Sequence, residues 1–348
     1  MARRVCAMAA LTLILAAVRA QAADTVINIR VSFKAVVNPL DGSLPMLSGR
    51  EVRQSDVDAL VDGMNDLLVL YGRGYRVARH GGLIAVGEIG GSFSGPSQWF
   101  NVDFFDDPDA KHDMDKAARG NPVSYAWSPN AVNIYIVDDF GGAKCSTSDS
   151  EEIIVASVGR VNEPRVILHE IGHYFSLCHT QGCSCADCDG ELGTACESPG
   201  DDEVGDTLLD VQCWTLDDIA NASFFEPFNT LPVELKNRVI DTAENLMSYH
   251  HMPPLQLMLG RLTEGQLDRW TNTIKALPFG FTYRAHVVDG LTYVVPDDWT
   301  LGDARGRAGA NDIILLRPGT RHFIATVTLD EPTTYRVTRD GPAVFQVP

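Results

Sequence analysis

One run constrains this chain more than any other: His169-Glu170-Ile171-Gly172-His173-Tyr174-Phe175-Ser176-Leu177-Cys178-His179. On a helix, residues four apart stand one turn apart on the same face, so His169 and His173 point the same way. Two imidazoles so placed can grip one zinc ion at about 2 Å. Glu170 cannot point along with them, but it can reach a water held in an open metal position and take its proton. This is the logic of the metalloprotease H-E-x-x-H motif. His179 stands six residues beyond His173, where the helix has to end and the chain turn back. It is the expected third ligand, which gives three histidines and one open position. A lone histidine is more often a packed or surface residue. Of the nine in the chain, His80, His112, His286 and His322 show no partner pattern.

Residues 1–22 carry Arg3 and Arg4, then a mostly apolar run from Val5 to Val18, then Ala20-Gln21-Ala22. This reads as a secretory signal peptide with an A-x-A cleavage site, too short in its apolar part to anchor in a membrane. The expected location is therefore extracellular or periplasmic. The chain has a formal charge of -18, and residues 1–22 hold three arginines and no acid, so the remainder is more acidic still. A surface of that sign disfavours nucleic acid and anionic membranes as partners, and it makes calcium a candidate ligand.

Seven cysteines follow residue 22: Cys145, Cys178, Cys183, Cys185, Cys188, Cys196 and Cys213. Six of them fall between 178 and 213. In an oxidising compartment they read as disulfides, with the odd count leaving one thiol. A second zinc in the Cys183-x-Cys185-x-x-Cys188 cluster is the alternative. The length suits one large domain and a small one, drawn at 23–277 and 278–348.

Residues 25–37 are β-branched and read as a strand. Ser55 is the expected cap of a helix carrying Val57, Leu60, Val61, Met64, Leu67, Leu68 and Tyr71 at helical spacing. Short strands are expected at 75–78 and 83–86, a strand at 99–105, a helix at 107–118, and strands at 131–137 and 152–156. Asn162 is the expected cap of the helix bearing the two histidines, with Pro164 in its first turn.

Further on come Asp202-x-Val204-x-Asp206-Thr207, Asn245-x-Met247-Ser248-Tyr249 and Leu262-Thr263-x-Gly265-Gln266-x-x-Arg269. With the histidine run, this order resembles the pappalysin family of metzincin zinc endopeptidases over residues 25–275. The resemblance implies an α+β metzincin-type domain: a mixed twisted sheet, an active-site helix and a Met-turn. It implies His169, His173 and His179 as zinc ligands, Glu170 as general base, and Met247 as the methionine packed beneath the metal. Tyr249 matches a tyrosine near the metal whose phenol can donate to a developing oxyanion. The plainer reading of Tyr249 is a packed aromatic. Family members bind calcium near the cleft, so Asp201, Asp202 and Asp206 are candidates, against a solvated acidic turn. Metzincins also place an antiparallel strand along the cleft edge, which would be 131–137 or 152–156. Ser176 departs from the family pattern, which has glycine where the backbone turns left-handed before the third ligand. Glu191 or Glu197 is the alternative third ligand in a thermolysin-like site.

The remainder, from Leu277 onward, is turn-rich and β-like. Around Tyr293–Pro296, Ala310–Thr320 and Val327–Tyr335 it resembles the opening coil of a parallel β-helix, so a small C-terminal β module is expected. The expected function is a secreted zinc endopeptidase acting on a protein or peptide substrate. The rival is a non-catalytic secreted binding protein that keeps zinc as a structural staple.

Overall fold

The computed structural model describes residues 27–89, 95–107, 109–138, 140–145, 153–180, 204–210, 215–248 and 260–280. In the tail it describes 288–289, 292–295, 300, 302, 304, 313–316, 321–323, 334–337 and 344–346. The chain divides into two compact units. One comprises Arg30–Tyr71 and Val77–Val287, the other Met1–Ile29, Gly72–Arg76 and Val288–Pro348.

The first unit is built on a mixed sheet. Its strands are β1 (Ile27–Val36) and β4 (Tyr75–Arg79), whose first residues are counted in the other unit, with β5 (Ile84–Val86), β6 (Val132–Val137), β7 (Ala143–Lys144) and β8 (Ile153–Ser157). A separate hairpin pairs β2 (Met46–Leu47) with β3 (Arg50–Glu51). The sheet order is β4-β1-β6-β8-β7, with β5 also against β1. β6 lies between β1 and β8, parallel to both, and all six of its residues are buried. A strand covered on both faces needs the near-continuous apolar run Val-Asn-Ile-Tyr-Ile-Val rather than strict alternation.

One face of the sheet presents Val36, Tyr135, Val137, Ile153 and Val155 to helix α2 (Ala110–Gly120), through Ala110, Met114 and Ala118. Alternation along the strands turns Ile134, Ile136, Ile154 and Ala156 the other way. Helix α1 (Gln54–Val69) packs on helix α3 (Pro164–Tyr174), which also meets β8. The α1–α3 contact is close because Gly63 has no side chain; a Cβ there would stand 2.4 Å from Cγ of Pro164. Helices α4 (Leu216–Phe224) and α5 (Val233–Ala243) close a second apolar cluster around Ile219, Leu231 and Val239. Helix α6 (Glu264–Gly280) follows, and Trp270 stacks on Phe175 just past the end of α3, ring centres 5.6 Å apart.

In the other unit, β9 (Val288–Asp289) runs antiparallel to Asn28 and Ile29. Strands β10 (Thr292–Val295), β11 (Ile313–Leu316) and β13 (Thr334–Val337) pair in parallel, in the register Thr292 to Ile313 to Thr334. Strands β12 (Arg321–Phe323) and β14 (Val344–Gln346) form a second parallel ladder. Two parallel ladders built from successive segments are the pairing a parallel β-helix coil requires.

Several local expectations are corrected. α1 starts one residue before Ser55; Arg53 is its cap, and Asp56 accepts the Arg53 N–H at 2.8 Å. α3 starts at Pro164 behind Glu163, while Asn162 closes a preceding 3-10 turn and makes no cap bond. No strand forms over 99–105. Residues 96–99 make a 3-10 turn, and the Asp103 carboxylate accepts the N–H groups of Phe105 and Asp106. A side chain that takes those donors removes them from a ladder. Neither 131–137 nor 152–156 is an edge. The edge on that side is the two-residue β7, antiparallel to β8.

Candidate metal centre

α3 holds the first two histidines because its apolar side is buried against the sheet and α1, which leaves the helix one way to sit. Ile167, Leu168, Ile171 and Tyr174 are all at most 1 % exposed. Phe175 N–H closes the last turn on Ile171 and Gly172 carbonyls. The chain then reverses at Ser176, whose φ of 64° lies in the left-handed region where the sequence departs from glycine. A non-glycine residue costs about 1–2 kcal/mol there. Leu177 N–H returns to the Gly172 carbonyl at 3.0 Å, and His179 is carried back over the helix.

The result is a buried triad. Nε2 of His169 lies 3.0 Å from Nε2 of His173 and 3.1 Å from Nε2 of His179, and the last two are 2.9 Å apart. The protonation of these rings follows from their other nitrogens. His169 Nδ1 donates to the Leu246 carbonyl at 2.7 Å, and His173 Nδ1 donates to the Leu177 carbonyl at 2.7 Å. A carbonyl oxygen only accepts, so Nδ1 carries a proton in both rings, and in its neutral form each ring turns an Nε2 lone pair toward the others. Burial, then His173 and His169 beside it, hold the His179 imidazole well below its ordinary range, which favours the neutral ring a metal ligand needs. Lone pairs converging on one buried point repel unless a cation lies between them. Three nitrogens about 3 Å from one another are close enough to serve together as donors to one ion at Zn–N distances of about 2 Å. The donor set therefore fits zinc.

Beneath the triad lies the segment 244–248. Met247 is fully buried, and a Cβ on Gly172 would stand 2.7 Å from its sulfur. So glycine in His-Glu-Ile-Gly-His is a packing requirement of the methionine below. The turn that carries Met247 is held by identifiable bonds. Asn245 Oδ1 accepts Met247 N–H at 2.8 Å, and its amide donates to Gln266 Oε1 at 2.8 Å. Leu246 N–H donates to the Arg261 carbonyl. Arg165 of the metal helix donates to the Asn245 carbonyl at 2.9 Å. Among solved structures, a promirolysin mutant from Tannerella forsythia is similar at 15% identity and TM-score 0.45, over 76% of this chain and 85% of that one. No protein-family profile and no curated protein matches the chain.

The structure thus brings His169, His173 and His179 together, with Glu170 on the same helix at 6 % exposure. Tyr249 lies outside the described residues, as do Glu191, Glu197, Asp201, Asp202 and five of the cysteines. Cys145 is a half-buried thiol. Asp206 has a different task from calcium binding. Its Oδ1 accepts from the Thr263 hydroxyl at 2.8 Å and its Oδ2 from Gly265 N–H at 2.8 Å. Both oxygens cap the start of α6, where a negative charge also complements the helix dipole. Calcium therefore has no support among the described residues. Sequence reasoning missed Thr180 and Asp210. Both are fully buried beside His179, and neither belongs to a recognisable motif.

Proposed function

We propose that this chain is a zinc-dependent endopeptidase that hydrolyses peptide bonds with Glu170 as general base. One observation carries the reading: three buried imidazoles bring their ring nitrogens together, two of them from a helix on which a glutamate directly follows the first. His169, His173 and His179 would hold the ion. When bound, zinc supplies a Lewis acid and makes water acidic enough to lose a proton near neutral pH. Glu170 takes the proton of the attacking water and passes it to the departing amine. Tyr249 donates a hydrogen bond to the oxyanion on the scissile carbonyl. A purely structural zinc would take four protein ligands, and the described residues supply three.

Export through residues 1–22 is part of the same proposal. A secreted protease meets an oxidising medium, which suits disulfides among the six cysteines between 178 and 213. The substrate is a protein or peptide.

The test is hydrolysis of a mixed peptide library by the purified protein, with and without a zinc chelator, beside Glu170→Ala. Internal cleavage that disappears in both controls, with zinc still bound to the variant, is the expected result. Stoichiometric zinc without any cleavage would sink the enzymatic reading.

A further inference from the structure

The three ligands are not held in the same way. His169 and His173 share a helix, and each is oriented by a carbonyl. His179 is off the helix, reached through the left-handed Ser176, so its position depends on where residues 177–180 are fastened. The fastening lies in the next residue. Thr180 N–H donates to the Met247 carbonyl at 3.1 Å, and its hydroxyl donates to Asp210 Oδ2 at 2.5 Å. Thr180 and Asp210 are both 0 % exposed and stand on either side of residues 181–203 in the sequence.

Asp210 is a firm anchor because its own segment is tied to the helices of this unit. Leu208 N–H donates to Thr242 Oγ1 of α5 at 3.4 Å, Thr207 Oγ1 donates to the Val204 carbonyl at 2.7 Å, and Asp206 caps α6. A short bond to a carboxylate in a buried place is strong and directional. It counters the tendency of a left-handed serine to relax and carry the chain away from the helix.

We propose that Asp210, acting through Thr180, is a positioning residue for His179, so that metal affinity depends on a carboxylate that does not touch the metal. This rests on the metal-site reading of the three histidines. Groups that orient a metal ligand typically change affinity 10–100-fold when removed.

The test compares zinc dissociation constants, by competition with a chromophoric chelator, for the full wild-type chain, Asp210→Ala, Asp210→Asn, Thr180→Val and the Asp210→Ala/Thr180→Val double variant. Visible spectra of the cobalt-substituted proteins and the melting temperature of each metal-free protein accompany them. Asp210→Ala and Thr180→Val should each weaken zinc binding about 10–100-fold and alter the cobalt bands. The double variant should lose no more than the weaker-binding single one. Asp210→Asn keeps an oxygen acceptor and should recover most of the affinity. A folded Asp210→Ala protein with wild-type zinc affinity and cobalt spectrum overturns the proposal, even if its metal-free form melts earlier. If Asp210→Ala does not fold, Thr180→Val decides by the same readout, since it replaces only a hydroxyl by a methyl. A wild-type chain that binds no zinc overturns the metal-site reading itself, which is a separate outcome.

Discussion

Gly172 and Met247 are in contact through the absence of a side chain: a methyl on the glycine would sit 2.7 Å from the methionine sulfur and 3.3 Å from its terminal carbon. Gly172→Ala therefore forces the helix that carries His169 and His173 away from the segment that orients His169. Overpacking of this kind costs about 1–3 kcal/mol. The expected result is a lower denaturant midpoint at unchanged slope, with weakened zinc binding. Adding Met247→Ala should recover part of the loss, because the clash needs both partners. Strictly additive effects would show that the contact is not the cause.

Ser176 lies at φ 64° without the freedom of glycine. Ser176→Gly should stabilise the protein by up to about 1 kcal/mol, since relief of the left-handed strain outweighs the greater flexibility of the unfolded chain. Ser176→Val should destabilise it, because a β-branched residue tolerates that conformation least. Chemical denaturation of the metal-free proteins measures both. A destabilised glycine variant would mean that the serine side chain contributes more than its backbone costs.

Lys34 is fully buried in β1, where its ammonium group donates to the Ser32 carbonyl at 3.1 Å and to Asn133 Oδ1 at 2.5 Å, near the Tyr135 ring. Burial pushes it down to about 7 from its ordinary 10.5. Below pH 7 both folded and unfolded chains carry the proton, and the folded state bears the whole cost of burying it. Between pH 7 and 10.5 the unfolded chain binds more protons, so this group makes stability rise with pH, by roughly 5 kcal/mol at most. Lys34→Met should raise stability at neutral pH and flatten the rise. Asn133 Oδ1 keeps Ser128 N–H as a donor in that variant. Unfolding free energies of both proteins from pH 6 to 10 check this; parallel curves would contradict it.

At the start of α6, a Cβ on Gly265 would stand 2.5 Å from Val204 and 2.6 Å from Asp206 Oδ1. Gly265→Ala should break the Asp206 cap and cost about 1–2 kcal/mol, comparable to losing a good N-cap. Asp206→Ala should cost a similar amount, and the two losses should not add. Thermal melts of the single and double variants decide it.

The chemistry is legible in the residues alone because metal ligation on a helix is a local matter. Four-residue spacing places His169 and His173 on one face whatever surrounds them. The core strands 132–137 and 153–157 are legible for the same reason, as short apolar β-branched runs. Helices α4 and α5 do not announce themselves by apolar spacing. Yet α4 carries a visible capping box, in which Asp218 N–H donates to the Thr215 hydroxyl and the Asp218 carboxylate accepts the Thr215 N–H.

By itself the sequence determined which side chains could hold an ion and that a helix must present two of them; that a methionine belongs to the same site was only what the family resemblance implied. The tertiary structure alone decided the rest. Asp206 caps a helix instead of waiting for a cation because residues 206 and 263 meet only in the folded chain. The sheet edge is two residues long, too short for any periodicity to announce it. Thr180 and Asp210 find each other across thirty residues. A hydrogen bond between distant segments leaves no spacing in the sequence, since its partners are brought together by packing.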